Sequence, residues 1–183
     1  MIFGSRIRLR AIEQTDLALF VKWLNDPQVI EGLSYYLPLS SYQEGQWFEN
    51  VMQKPTEEHP LVIEVQQEDA WFPIGDIALM NIDWRNRSAE LGISIGEKSF
   101  WNKGCGSDAI KLFLKHCFDT LNLERIFLRV HQTNQRAIRA YQKCGFIQEG
   151  LLRRAEYKNG TYLNVLIMAI LKSEWDALQS HST

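Results

Sequence analysis

The segment Phe100–Ser107 has the composition of an anion-binding loop. Two glycines one residue apart, Gly104 and Gly106, lie between an apolar strand-like run at Leu91–Ile95 and a long amphipathic helix. The first turn of a helix leaves backbone N–H groups unpaired, and glycine keeps them sterically open. Such a turn can hold a phosphate or a pyrophosphate. Taken alone, the same pattern is more often a plain turn from a loop into a helix.

A second pattern runs from Asn134 to Phe146. Asn134 and Tyr141 are seven positions apart, which is two helical turns, so both lie on one face of a helix. Gly145 stands where helices commonly end in the left-handed conformation. Asn134 can cap the helix with its side chain, and Tyr141 can be a core aromatic residue. Both side chains also carry polar atoms that a ligand could use.

The elements that must position these patterns follow from hydrophobic periodicity. The predicted strands are Arg6–Arg10, Leu61–Val65, Ile74–Ile82, Ala89–Ile95, Ile126–Val130 and Val165–Leu171. The predicted helices start at Thr15 or Asp16, at Pro27 and at Ser40 or Ser41, followed by Ser107–Leu121, Thr133–Cys144 and a last turn at Ser173–Leu178. The chain is extended from Phe146 and returns through Asn159–Gly160, a two-residue hairpin signal. This order predicts a mixed α/β sheet with some antiparallel pairing.

The composition and net charge of the chain argue against several classes of protein. The 183 residues fit one domain, 1–183, that needs no disulfide or metal to bury its core. A net charge of −2 gives no reason to bind nucleic acid, and no apolar run reaches the ~20 residues that span a bilayer. Three cysteines without a C-x-x-C spacing favour a reducing compartment. The histidines have no metal-ligand spacing and are interpreted as surface or loop residues: His59, His116, His131 and His181. We expect a soluble, cytoplasmic protein without a signal peptide, which binds no membrane, nucleic acid or metal.

The two patterns together resemble the GNAT family of acyl-CoA-dependent N-acetyltransferases. The match is the order strand, glycine loop at a helix start, strand, and then Asn-x-x-Ala-x-x-x-Tyr-x-x-x-Gly-Phe at Asn134–Phe146. Trp101, the Ala89–Gly92 run and the Asn159–Gly160 hairpin are similar to one branch, the ribosomal-protein N-terminal alanine and serine acetyltransferases and the spermidine acetyltransferases. The resemblance implies a single GNAT-fold domain of the α/β (α+β) class. Its mixed, mostly antiparallel sheet would have about seven strands, splayed at the cofactor site, with helices on both faces.

The same resemblance implies where acetyl-CoA binds. The amides of residues 101–107 would hold its pyrophosphate, and Ile93–Ile95 would splay from the next strand to admit the pantetheine arm. The segment Gly96–Phe100 is slightly longer than in relatives and lacks their usual proline, so a bulge is expected there. The implied cofactor-binding residues are Ile93, Ser94, Ile95, Trp101, Asn102, Lys103, Gly104, Cys105, Gly106, Ser107 and Asn134.

The resemblance also implies catalytic roles. Tyr141 would lie beside the cofactor sulfur and donate a hydrogen bond to the leaving thiolate. Full proton transfer from tyrosine (pKa ~10) to a thiolate (~8.5) is uphill by ~2 kcal/mol, so transfer is expected late. Glu90, directly or through a water, is the candidate base for the attacking amine; a surface or salt-bridge role is its alternative. Glu31 and Tyr35 are candidate acceptor-binding residues, with a solvated helix and core packing as their alternatives.

The functional hypothesis is therefore acetyl transfer to a primary amine by direct attack. The acceptor is left open between a protein N-terminus, a polyamine, an aminoglycoside and an amino-sugar. Two rivals belong to other classes: a catalytically silent acyl-CoA-binding module, and an acyl carrier that uses Cys105. Exposed strand edges near the Asn159–Gly160 hairpin are consistent with a homodimer.

Overall fold

The computed structural model describes residues 1–180, which are built around an eight-stranded sheet. The strands are β1 (Ile2–Phe3), β2 (Ile7–Ala11), β3 (Leu61–Gln67), β4 (Ala70–Asp83), β5 (Ser88–Ile95), β6 (Arg125–His131), β7 (Ile147–Lys158) and β8 (Thr161–Leu171). Their order is β1-β2-β3-β4-β5-β6-β8-β7. β5 and β6 pair in parallel, and the other neighbours pair antiparallel. The expected mixed, mostly antiparallel sheet is confirmed, and the added strand is the short β1.

Helices cover both faces of the sheet, as expected. They are α1 (Leu17–Leu24), α2 (Pro27–Ile30), α3 (Ser41–Met52), α4 (Cys105–Asp119), α5 (Gln135–Lys143) and α6 (Lys172–Ser180). Successive β3 residues point to opposite faces, so Ile63 packs in the larger core with α4, α5 and α6. Val62 packs in a smaller core with α1 and α3. Apolar side chains at helical spacing therefore cover each face.

Local capping chemistry sets several element boundaries. Ser40 accepts a hydrogen bond from the Gln43 amide at the start of α3, and Asp26 accepts one from Gln28 at the start of α2. α4 begins at Cys105, earlier than predicted, because Gly104 takes a left-handed φ of +81° directly before it. β4 also starts earlier, at Ala70, and continues through Pro73 because the β3–β4 register shifts beside that residue.

The gap between β5 and β6 positions the site. The two strands pair only from Ser88–Arg125 to Glu90–Phe127, while β6 stays paired with β8 as far as His131–Val165. The rest of β5, Leu91–Ile95, therefore diverges from β6. The chain after β5 forms a short 3-10 turn at Lys98–Phe100. Gly96 is required there, because a Cβ on it would lie 2.1 Å from the Trp23 ring.

Candidate functional site

A cavity of about 740 Å³ occupies the gap between β5 and β6. It is lined by the start of α4, one face of α5, the diverging strands and the segment between α2 and α3. The predicted site residues that line it are Glu90, Ile93, Ser94, Ile95, Trp101, Asn102, Gly104, Cys105, Gly106, Ser107, Asn134 and Tyr141. Three predicted site residues are absent from its lining: Glu31, Tyr35 and Lys103.

The glycine loop presents free amides to this cavity. The Asp108 amide, 3.0 Å from the Gly104 carbonyl, makes the first hydrogen bond of α4, so the amides of residues 105–107 precede the helical ladder. Arg6 ties the loop down by donating to the Lys103 carbonyl at 2.9 Å and to Asp108 at 2.7 Å. These contacts hold the first turn of α4 in a shape that suits an anion.

Trp101 fixes the end of β5 next to the loop. Its indole Nε1 donates to the Ile95 carbonyl at 2.7 Å. The guanidinium of Arg136 lies 3.7 Å from the Trp101 ring centroid, which is a close cation–π contact. Arg136, Arg139 and Lys143 all line the cavity from α5. The sequence analysis missed this basic face, although its spacing of three and four residues is a helical signal.

Asn134 caps α5, since its Oδ1 accepts the Ala137 amide at 3.1 Å. The other side of its amide group faces Gly32, where an added Cβ would lie 2.4 Å from Asn134 Nδ2. The segment between α2 and α3 therefore crosses directly over the start of α5. It forms a roof on the cavity with Val29, Leu33 and Ser34.

Tyr141 is buried on α5 and lines the cavity. Its ring packs against Phe146 at 5.8 Å between centroids. Burial, with a smaller contribution from Cys144, raises the pKa of Tyr141 to about 12. The phenol therefore keeps its proton at any working pH, and no hydrogen bond to its hydroxyl is found among residues 1–180.

Glu90 is buried at the end of the paired part of β5. Both of its oxygens bind Arg129, at 2.8 and 2.9 Å, and Asn81 donates to one of them at 3.1 Å. The hydrogen bond from Arg129 is the main reason why the pKa of Glu90 is lowered. Glu90 is therefore a charged, tightly held carboxylate.

The position of His131 differs from the sequence-based interpretation of the histidines. It is only 4% exposed, at the end of β6, and its Nε2 lies 2.7 Å from Glu156 Oε2. The interpretation as a surface or loop residue is wrong for His131, because it lies on the same side of β6 as Arg129, facing the cavity gap. His59 and His116 are half-buried, and His181 lies outside the described residues.

The candidate acceptor residues lie beside the cavity. Glu31 is exposed, and Tyr35 is 38% exposed. Burial and the carboxylates of Glu44 and Asp76 raise the pKa of Tyr35. Burial also raises the pKa of Glu44 to about 7 and that of Asp76 to about 6. Asp76 accepts from Ser94 at 2.5 Å, which connects this acidic cluster to the cavity wall.

Residues 6–147 match the family profile described as the acetyltransferase (GNAT) domain. The chain belongs to the GNAT acetyltransferase family. It is 33% identical to the spermidine N(1)-acetyltransferase of Vibrio cholerae, over 94% of this chain and 96% of that protein. It is 29% identical to the Escherichia coli K12 spermidine N(1)-acetyltransferase, over 97% and 91% of the two chains.

A solved structure has the same fold. The crystal structure of the Vibrio cholerae spermidine N-acetyltransferase in complex with CoA and spermine superimposes with a TM-score of 0.83 at 31% identity, covering 94% of this chain and 99% of that one. The GNAT protein is thus an N-acetyltransferase that uses acetyl-CoA as acetyl donor to a primary amine. Within residues 1–180, no helix is long and apolar enough to cross a membrane.

Proposed function

We propose that this acetyltransferase acts on a small aliphatic amine that carries at least one further cationic nitrogen, as polyamines do. The observation that carries the proposal is the composition of the cavity wall on β5 to β7. The cavity there is lined by two carboxylates, Glu156 and Glu90, the second of which binds the lining residue Arg129. It is roofed by Val29, Leu33 and Ser34. Carboxylates suit ammonium groups, and a roofed cavity suits a small molecule.

The roof is fastened to the opposite side of the cavity. Ser34 donates to Glu156 at 3.0 Å, and the Lys158 ammonium bonds the carbonyls of Ile30 and Leu33. A folded protein N-terminus would need this segment to move, whereas an extended diamine would not. The Vibrio cholerae and Escherichia coli relatives are named spermidine acetyltransferases, and spermidine is an amine of this kind. These names support the same class of acceptor here.

The residues that we propose for CoA fit its chemistry. The free amides of Cys105, Gly106 and Ser107 suit a pyrophosphate at the start of α4, and the basic face of α5 suits a further phosphate. The exposed backbone of Ile93–Ile95, where β6 no longer pairs with β5, suits an extended amide-containing arm. Asn134 lies between these regions. Acetyl-CoA, once bound, supplies the thioester whose carbonyl carbon the amine attacks.

We assign Tyr141 as the hydrogen-bond donor to the departing sulfur. Its raised pKa keeps the hydroxyl protonated while it faces the cavity. Glu90, held as a carboxylate by Arg129, would attract the ammonium form of the acceptor and accept a hydrogen bond from it, directly or through a water. Neither assignment needs a covalent acyl-enzyme: burial raises the pKa of the Cys105 thiol, which disfavours its thiolate.

We also propose self-association through the outer edge of the sheet. β7 is the last strand of the order, and its exposed apolar side chains include Ile147, Leu151, Leu152 and Tyr157. An apolar edge strand is a surface that proteins normally cover. Light scattering at micromolar concentration tests this inference: a dimer or larger mass supports it, and a monomer mass contradicts it.

An acceptor panel tests the proposed function. CoA release is followed with spermidine, a monoamine of equal length, a peptide with an N-terminal alanine, an aminoglycoside and an amino-sugar. Spermidine should exceed the monoamine in kcat/KM by about tenfold or more, since one charged hydrogen bond contributes about 1.5–3 kcal/mol. Faster turnover of the peptide would overturn the proposed acceptor. CoA binding without turnover of any amine would favour the silent binding module.

A further inference from the structure

The cavity wall contains a histidine–carboxylate pair, of which the function proposed above uses only the carboxylate. His131 Nε2 lies 2.7 Å from Glu156 Oε2, and the Ser34 hydroxyl donates to the same oxygen at 3.0 Å. All three side chains line the cavity that also contains Tyr141. The pair therefore lies in the same cavity as Tyr141, the proposed donor to the departing sulfur.

An irregularity in β7 brings Glu156 to His131. Leu152 pairs with Val165 and Glu156 pairs with Leu163, so three β7 residues, 153–155, lie opposite the single residue Asn164. Arg154 takes a positive φ of 52° there, and its amide donates to Asn164 Oδ1 at 2.8 Å. Bulges of this kind redirect side chains beside active sites. The bulge turns Glu156 toward β6, across the intervening strand β8.

The contacts assign the ring nitrogens of His131. An ionised carboxylate only accepts hydrogen bonds, so Nε2 carries the hydrogen that faces Glu156. Partial burial raises the pKa of Glu156, but hydrogen bonds from His131 and Ser34 outweigh this effect and leave the pKa lowered. In the neutral ring, Nδ1 is then the basic nitrogen, and within residues 1–180 no hydrogen bond to it is found.

The competing base in the cavity is less available. Both oxygens of Glu90 are held by Arg129, so a proton on Glu90 would break a two-point ion pair. His131 has no such cationic partner bonded to its ring. Because imidazole changes charge near neutral pH, it is suited to receive a proton there.

We propose that His131 is the proton acceptor for the attacking amine and that Glu156 is its positioning residue. The proposal rests on the proposed acetyl transfer to an amine. As the neutral amine forms its C–N bond to the thioester carbonyl carbon, its nitrogen becomes positively charged and loses a proton to His131 Nδ1. The C–S bond breaks with its electron pair on sulfur, and the Tyr141 hydroxyl donates a hydrogen bond to the resulting thiolate. The proton on His131 passes through solvent to this thiolate, so the balance is amine plus thioester to amide plus thiol.

Several charged groups surround the pair and must be considered in any pH study. Arg129 precedes His131 on β6, Lys158 follows Glu156 on β7, and Glu31 lies on the segment between α2 and α3. Glu90 faces Arg129 from β5. None of these groups changes in the variants below, so differences between variants isolate the pair.

The test compares His131→Gln, Glu156→Gln and the matched control His59→Gln. Gln at 131 can still donate to Glu156 but cannot take up a proton at working pH. His59 binds the Lys54 carbonyl at 2.9 Å, away from the cavity lining. The readouts are kcat as a function of pH with saturating amine, CoA affinity by calorimetry, and titration of the histidine ring signals by NMR.

His131→Gln should lower kcat by about 10²-fold or more and leave CoA affinity unchanged. It should also remove one of the decreases in kcat that accompany a fall in pH. Glu156→Gln should move that decrease, and the matching ring titration, to lower pH because the imidazolium loses its counter-charge. His59→Gln should match wild type.

An unchanged kcat in His131→Gln would overturn the proposal, as would a pH profile that keeps its wild-type shape. If His131→Gln fails to fold, an unshifted profile and ring titration in Glu156→Gln would overturn it. The acceptor is a separate question: a wild type that acetylates the peptide and not spermidine refutes the proposed polyamine acceptor, and the His131 comparison then proceeds with the peptide.

Discussion

Replacing Tyr141 with Phe removes one hydroxyl from the cavity and leaves the ring packing in place. The Tyr141 ring contacts Phe146 at 5.8 Å between centroids, and Phe keeps that contact. The pKa of Tyr141 is raised to about 12 by burial, whereas a free thiol has a pKa of about 8.5. Full proton transfer before the C–S bond breaks would be uphill by about 5 kcal/mol. Tyr141 should therefore act mainly through a hydrogen bond to a developing thiolate.

A hydrogen bond to a charged group contributes about 1.5–3 kcal/mol, which corresponds to about 10- to 150-fold in rate. Tyr141→Phe should lower kcat within this range and leave CoA affinity and the unfolding midpoint near wild type. Steady-state CoA release, calorimetry with CoA and urea denaturation measure the three quantities. An unchanged kcat would refute the role of the hydroxyl, and a tenfold loss of CoA affinity would show that the residue acts on binding instead.

Four further substitutions test other parts of the structure. Glu90 has a lowered pKa because Arg129 bonds it, so it adds stability above its unfolded-state pKa that is lost as pH falls through the lower folded-state value. Glu90→Gln should flatten the pH dependence of urea unfolding between about pH 5 and pH 3, and an unchanged slope would contradict the ion pair. Glu44 and Asp76 have raised pKa values of about 7 and about 6, so stability should fall as pH rises between their unfolded and folded values. Glu44→Gln should recover roughly 3 kcal/mol at pH 8 and nothing at about pH 4; an equal effect at both pH values would be inconsistent with this assignment. Gly96→Ala should cost about 1–3 kcal/mol by overpacking against Trp23, whereas Gly45→Ala on α3, with open space around it, should gain about 0.5–1 kcal/mol in the same thermal unfolding assay.

The cofactor half of the fold was predictable because its signals are local. Gly104 and Gly106 follow a strand and precede an apolar helical stripe, and Asn159–Gly160 specifies a two-residue turn that the positive φ values of both residues confirm. Element boundaries shifted by a few residues, since Gly104 takes a left-handed conformation directly before α4 and Asn134 caps α5 through its side chain.

The acceptor side was harder to predict, because its contacts join residues far apart in sequence. Glu156 reaches His131 only through the β7 bulge opposite Asn164, and Ser34 meets Glu156 across 122 positions. No local periodicity encodes such a bulge. The polar residues Arg129 and His131, which alternate with apolar residues at the end of β6, were the available signal. Tyr35 lies instead beside the acidic residues Glu44 and Asp76.

The most direct test of the central claim is a crystal structure with CoA and a diamine. We predict the pyrophosphate on the amides of residues 105–107 and the sulfur within hydrogen-bond distance of the Tyr141 hydroxyl. The reacting nitrogen should lie between that sulfur and His131 Nδ1, with the second nitrogen near a carboxylate. A sulfur remote from Tyr141, or an acetyl group found on Cys105, would contradict direct transfer in this cavity.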